Sequence, residues 1–434
     1  MKPLVSIDAN SLGTWARVAA AMFLAALAGC SGDDNNQAGG GGAGGSDGGS
    51  NGGGGTPESD GGFSLKTFAP PNVNMTSGIL FTASGEALAQ TGYDFPPASA
   101  DAAQFYDGWD IKFDRLLVTF DKITLSANPD TDPGDQSKTG GLVAQVNGPW
   151  AVDLHRDDPS YLDGKSGGGE RAIPIAALTT QSNGSAFATD GTRYAFGFDA
   201  VVATSNAQNV NLDTAALADY QAMTASGCAV LYVGTATFRG DKTDAACYPT
   251  DHHGWPDTVK FKLCFKTPTT YINCQNPDNS GMPVSPDEEA QRGIAFDAHS
   301  AVIGQVTFHT DHPFWDSVLH DSPAHFDQFA ARVIGLDAGI PTVTLETTKG
   351  VDYLAYTDLQ GQPVNWRYCS APPTDVHPPF TGRMAFDPHG IPHSTDPATG
   401  LRDYYDFATY NQSTQGHLNA DGLCFVQRNY PSPP

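Results

Sequence analysis

Basic side chains are scarce in this sequence: 23 Lys and Arg stand against 48 Asp and Glu, for a formal net charge of −25 over 434 residues. A surface of that sign repels phosphate backbones and anionic headgroups and attracts cations. No Lys/Arg patch interleaved with aromatics offsets it, so nucleic acid is not an expected partner. CxxC and CxxCH are both missing, which argues against covalent c-type haem and against thioredoxin-like or zinc-ribbon sites. No Walker loop occurs, and the glycines at 167–169 (KSGGGER) follow no strand-to-helix pattern that would cradle phosphate. An acid/base dyad cannot be picked from 48 carboxylates by sequence alone, so no catalytic residue is assigned.

What is present begins with an address. Lys2 and Arg17 precede the apolar run VAAAMFLAALAG, which is too short to span a bilayer comfortably and ends at Cys30. The tetrad LAGC, Leu27 to Cys30, resembles the lipobox of bacterial lipoproteins, a resemblance confined to the N-terminal segment. It implies a signal peptide over residues 1–29, an acyl anchor such as palmitate on Cys30, and membrane attachment through that lipid. Ser31 rather than Asp behind the anchor implies the outer membrane. Residues 30–62 are Gly-, Ser-, Asn- and Asp-rich and hold nothing large enough to build a core. They read as a flexible tether with a reach of roughly 30 Å.

Residues 63–434 are the globular part, either one large unit or two lobes over about 63–210 and 211–434. Segments starting at Gly78, Trp109, Trp150, Arg193, Cys228, Thr258 and Ala301 alternate apolar and polar residues with β-branched or aromatic enrichment. They predict strands, with TPTT at 267–270 as a hairpin turn. Only the stretch from Leu212 predicts a long helix, with Asp213 as N-cap and Gly227 past its end. The expected fold is mainly β: a β-sandwich-like core, few short helices and a loop-rich, histidine-containing C-terminal part. The order VTFDKITL, WAVDL, YAFGFDAVVA is similar to β-sandwich modules of other bacterial lipoproteins, which bears on fold and not on activity.

With Cys30 lipidated, Cys228, Cys247, Cys264, Cys274, Cys369 and Cys424 remain. An even number outside the cytoplasm implies up to three disulfides among fifteen connectivities. Nearest-neighbour pairing, 228 with 247, 264 with 274 and 369 with 424, is the simplest expectation.

The densest chemistry lies in HTDHPFWDSVLHDSPAHFD, His309 to Asp327, which holds four of the 12 histidines. The strand from Ala301 delivers His309, Pro313 opens a short helix PFWDSVLH ending at His320, and Pro323 opens a second helix carrying His325. His309, His312, His320 and His325, helped by Asp311 or Asp321, are thus candidate ligands for a divalent transition ion, copper or zinc. The plainer alternative is a set of caps and a solvated helix face, since the spacing matches no strong metal motif. For His252, His253, His377, His389, His393 and His417, surface or capping roles are expected. NPDTDPGDQ, with Asp130, Asp132 and Asp135, is similar to the start of a calcium loop but has Thr139 where an EF-hand needs its Glu.

Three functions compete: a metal-binding lipoprotein of the cell envelope, a metal-dependent hydrolase with an open coordination position, and a lipid-anchored β-domain that binds polysaccharide or a protein partner without metal.

Overall fold

The architecture is organised by one long strand, Trp109–Ser126, whose first half alternates buried and more exposed residues. In the computed structural model, which describes residues 63–99, 101–156, 172–336, 339–364, 368–370 and 386–434, this strand is the spine of a 12-stranded sheet. Val230–Phe238 pairs antiparallel with its first half, and Trp150–Asp153, Leu142–Val146 and Arg193–Ala200 pair with its second. Register slips at Phe113/Arg115 and Asp121/Thr124 let so long a strand bend from one set of partners to the next. A 5-stranded sheet runs in the order Ile173–Leu178, Ile79–Ser84, Val302–Phe308, Gly416–Leu418, Gly422–Leu423 in space, reading inward from one edge.

The two sheets meet through aromatic side chains. Phe308 of the smaller sheet lies 5.2 Å from Phe120 and 6.1 Å from Tyr271 of the larger, and Phe81 lies 6.1 Å from Phe196, centroid to centroid. The mainly β, sandwich-like fold expected from alternation is therefore present. Both sheets draw strands from both halves of the chain: Ile79–Ser84 runs parallel to Val302–Phe308, and Trp109–Ser126 pairs with Val230–Phe238. Gly61–Pro434 accordingly forms one compact unit, with no division at residue 210.

The helix Thr214–Ser226 forms as expected: the Asp213 side chain accepts from Ala216 N, and Gly227 takes φ 76° past the end. It lays Ala216, Tyr220 and Met223 over Leu117 and Leu231. The two helices expected after His309 do not form. In their place stand a 3-10 turn, His312–Phe314, and a four-residue helix, Asp327–Ala330. Tertiary partners take the backbone groups a longer helix would have used: Asp316 N donates to Pro323 O, His325 N to Phe314 O, and Phe326 N and Asp327 N to the Asp107 carboxylate.

The TPTT hairpin is also overturned. Thr258–Phe265 pairs with Val230–Phe238 and Thr342–Thr344, whereas Thr269–Ile272 pairs with Arg193–Ala200 and Phe425–Arg428. Those partners set the disulfides, which join Cys228 to Cys264, Cys247 to Cys369 and Cys274 to Cys424, so none of the nearest-neighbour pairs forms. The last two bridges span 122 and 150 residues of sequence and tie the C-terminal part to the rest of the fold.

Candidate metal centre

The centre is assembled at the end of the smaller sheet. Val302–Phe308 pairs antiparallel with Gly416–Leu418, Thr307 opposite His417 and Phe308 opposite Gly416, and His309 N extends the ladder to Gln415 O at 3.1 Å. Side chains alternate across a strand, so Phe308 enters the inter-sheet core while Thr307, His309 and His417 share the other face. Diagonal neighbours on one face are in reach of each other. Here they stack, with the His309 and His417 ring centroids 4.1 Å apart. On the opposite face, glycine at 416 lets the strand lie against Tyr271, because a Cβ there would lie 2.5 Å from that ring.

Beyond His309 the chain turns, and His312 stacks at 3.7 Å on Trp315, just before the next loop. That loop, residues 316–323, is closed at its base by a bridge between Trp315 and Ala324, and it brings His320 back over the strand end. One donor atom from each of His309, His312, His320 and His417 lies within 4.8 Å of the others. His312 and His417 are buried, while His309 and His320 are partly exposed. This buried histidine cluster can hold a metal ion.

Hydrogen bonding sets the tautomers. Thr414 Oγ1 donates to Asn411 O at 2.7 Å, so its 2.8 Å contact with His312 Nδ1 requires that nitrogen to carry the proton. His320 Nδ1 sits 3.1 Å from the Asp321 carboxylate and donates to it. With the proton on Nδ1 in each ring, Nε2 is the atom left to coordinate, and both Nε2 atoms are buried without a hydrogen-bond partner. The ring nitrogens of His417 lie near the Asp421 and Thr414 backbone without a close, well-aligned hydrogen bond. His309 Nε2 contacts Glu86 Oε1 at 3.1 Å and Ala420 O at 3.2 Å, with Asp421 3.9 Å away.

The electrostatics split the four. Burial, then the neighbouring imidazoles, hold His312 and His417 well below the ordinary histidine value, so both are neutral and fit to coordinate. Burial also opposes a charge on His309, but the hydrogen bond and charge of Glu86, with Asp311 and Asp421, outweigh it and push His309 up to about 9. The bond from His320 holds Asp321 below the usual carboxylate range.

Three of the four predicted histidines converge, and His325 does not. Its Nε2 is 3.1 Å from Asp316 and its Nδ1 3.9 Å from Asp107, because the four-residue helix that replaces the expected longer one turns it into the core. Asp311 supplies no ligand: its carboxylate accepts from Trp315 Nε1 at 3.2 Å, and burial pushes it up. Asp321 acts on His320 from outside the cluster. His417, expected on a surface or as a cap, is 1% exposed and is the missing fourth member. Its signal was local: GHL, the turn NADG and then LCFV read as a hairpin, which would have put His417 on a strand.

Elsewhere, His252 is buried, 3.5 Å from Asp327, and is no surface residue. His253, His389 and His393 are exposed, as expected. His377, the glycines at 167–169 and Cys30 lie outside the described residues. The acidic loop does not suit calcium: Arg193 takes the Asp130 carboxylate, and Arg292 donates to the carbonyls of Pro129, Asp132 and Pro133. Asp132 and Asp135 accept from their own loop, at Gly134 N and Ser137 N. A cation there would face two guanidinium groups.

Comparison with protein families, with curated proteins and with solved structures found no match.

Proposed function

We propose that the protein binds a divalent transition ion, copper or zinc, through His309, His312, His320 and His417, while tethered to the outer membrane by a lipid on Cys30. One observation carries the metal reading: His312 Nε2 and His320 Nε2 are buried without a hydrogen-bond partner, in a cluster whose four donor atoms lie within 4.8 Å of one another. Lone pairs so arranged repel, and a cation relieves the repulsion. Four imidazoles without thiolate suit copper or zinc. Outer partners at ligating histidines are the usual accompaniment of such a site, and Glu86, Thr414 and Asp321 fill that role here. Four protein donors complete a tetrahedral set. A hydrolase, which needs an open position for water, is supported less well.

The test is to titrate copper and zinc into ion-free protein purified without an affinity tag, and into a His312→Ala, His417→Ala double variant. Wild type is expected to bind one ion and to gain about 2.7 kcal/mol of stability at a hundredfold excess over Kd. The variant is expected to show neither; equal binding and equal melting shifts in both proteins overturn the reading. The LAGC tetrad and the tether composition support the anchor. Cys30→Ser is expected to release the protein from membranes or leave it as uncleaved precursor, as read by fractionation and mass.

A further inference from the structure

Three of the four imidazoles are held by the body of the fold, and the fourth is not. His309 and His417 stand on paired backbone, and His312 is 0% exposed between Thr414 and Trp315. His320 instead lies at the tip of the 316–323 loop, with 33% of its side chain exposed. The tip itself is partly exposed. Leu319 is 41% exposed, Asp321 takes φ 60°, which a non-glycine residue adopts at some cost, and the one polar anchor of the His320 ring is that same exposed Asp321. The base of the loop is firm: Trp315 bridges Ala324, Asp316 N donates to Pro323 O, and Val318 N donates to Asp387 O. Leu319 is tied back as well, its N–H donating to Ser317 Oγ and its carbonyl accepting from Ser322 Oγ, so His320 and Asp321 are the residues of the loop held least. Withdrawing His320 gives up one face of contact with the Trp315, His312 and His417 rings and the ion pair with Asp321, whereas withdrawing His312 or His417, each at most 1% exposed, would open the core.

We infer that His320 is the exchangeable ligand of the centre, yielding its coordination position to a small neutral nitrogen donor from solvent while His309, His312 and His417 keep the ion. The inference rests on the metal reading above and deepens it. The exchange is a ligand substitution: the bond from the ion to His320 Nε2 breaks, one to the incoming nitrogen forms, and neither charge nor oxidation state changes. The rim selects the donor. Glu86 and Asp421 stand beside His309 and Asp321 beside His320, so the solvent side carries carboxylates that repel an anion and tolerate an uncharged imidazole. An imidazole-bearing acceptor is the class of partner such a position fits, as an ion passed between two histidine sites requires.

The experiment uses copper(II) and three proteins, wild type, His320→Ala and His312→Ala, with copper content, the visible ligand-field band and the paramagnetic resonance spectrum as readouts. Near-ultraviolet circular dichroism of the ion-free forms checks the fold, and His320→Gln serves in the same role if the alanine variant does not fold. His320→Ala is expected to keep a full equivalent of copper with an altered spectrum, to return to the wild-type spectrum as imidazole is added, and to respond less to azide at the same concentration. His312→Ala is expected to lose copper and not to recover it in imidazole. The inference is overturned if folded His320→Ala loses copper as fully as His312→Ala, or if its copper spectrum ignores imidazole or answers azide more strongly. Wild type that takes up no copper would overturn the metal reading itself, which separates the two failures.

Discussion

Two interiors of this fold are lined with histidine, and they are built on opposite principles. Around the helix Asp327–Ala330, each imidazole faces a carboxylate: His325 meets Asp316 and Asp107, and His252 meets Asp327. At the end of the smaller sheet, imidazole faces imidazole, and the carboxylates Glu86 and Asp321 stand outside the ring of four. Burial is similar, since His252, His325, His312 and His417 are all at most 1% exposed. What differs is the partner of the buried rings: His252 and His325 each pair with a carboxylate, whereas His312 meets the Thr414 hydroxyl and other imidazoles, and the carboxylates serve the partly exposed His309 and His320. A buried histidine paired with a buried carboxylate is a structural tie, whereas buried imidazoles gathered around one another keep nitrogen atoms free to bind an ion.

The comparison predicts separable phenotypes. The largest effect is expected at the first interior. Asp107 accepts from Phe326 N and Asp327 N, so Asp107→Ala strands two buried donors and removes a charge beside His325. A loss of about 3–5 kcal/mol is expected in urea unfolding, with copper bound per folded molecule unchanged. Loss of metal stoichiometry in the folded fraction would show that the two interiors are one unit.

The second effect is at the other interior and has the reverse pattern. Glu86→Ala removes the carboxylate on His309 Nε2. Metal affinity is expected to fall about 10- to 100-fold, as on loss of other outer partners. Unfolding of the ion-free protein should change little beside Asp107→Ala. If affinity is untouched, His309 needs no partner and the contrast between the interiors weakens.

The smallest effect is in pH dependence. His309, pushed up to about 9, carries a proton at neutral pH in the ion-free protein, while His312 and His417 do not. An imidazole must be neutral to bind an ion, so uptake displaces one proton, from His309. Between about pH 9 and the ordinary histidine value near 6.5, affinity should fall about tenfold per pH unit. The sign for stability differs by group. His312 and His417, whose folded values are depressed, make ion-free stability fall as pH drops below about 6.5, whereas the contribution of His309 is present there and is lost as pH rises through about 9. Chelator competition from pH 6.5 to 9 measures the affinity slope, and a flat profile would remove His309 from the ligand set.

Much of this molecule could be read from the order of its residues. Alternation located the strands at Trp109, Arg193, Thr258 and Ala301, and the Asp213 and Gly227 caps bounded the long helix, because each signal is local: a period of two, a cap within one turn. Histidine density pointed to the right nineteen residues, and His309 followed from the end of its strand. Tertiary structure alone decided the remainder. Whether Cys264 met Cys274 or Cys228 depended on which strand lay beside Thr258–Phe265, and that strand is the preceding Val230–Phe238 and not Thr269–Ile272, which pairs elsewhere. His325 left the cluster because Asp107, far away in sequence, claimed the backbone of its expected helix. His417 joined it because Gly416–Leu418 lies against Val302–Phe308, far away in sequence: the hairpin around His417 could be read locally, but its partner strand could not. Sequence determines what each residue offers and which way it faces along its own strand, while a site made of four separated imidazoles exists only once long-range pairing has chosen which faces meet.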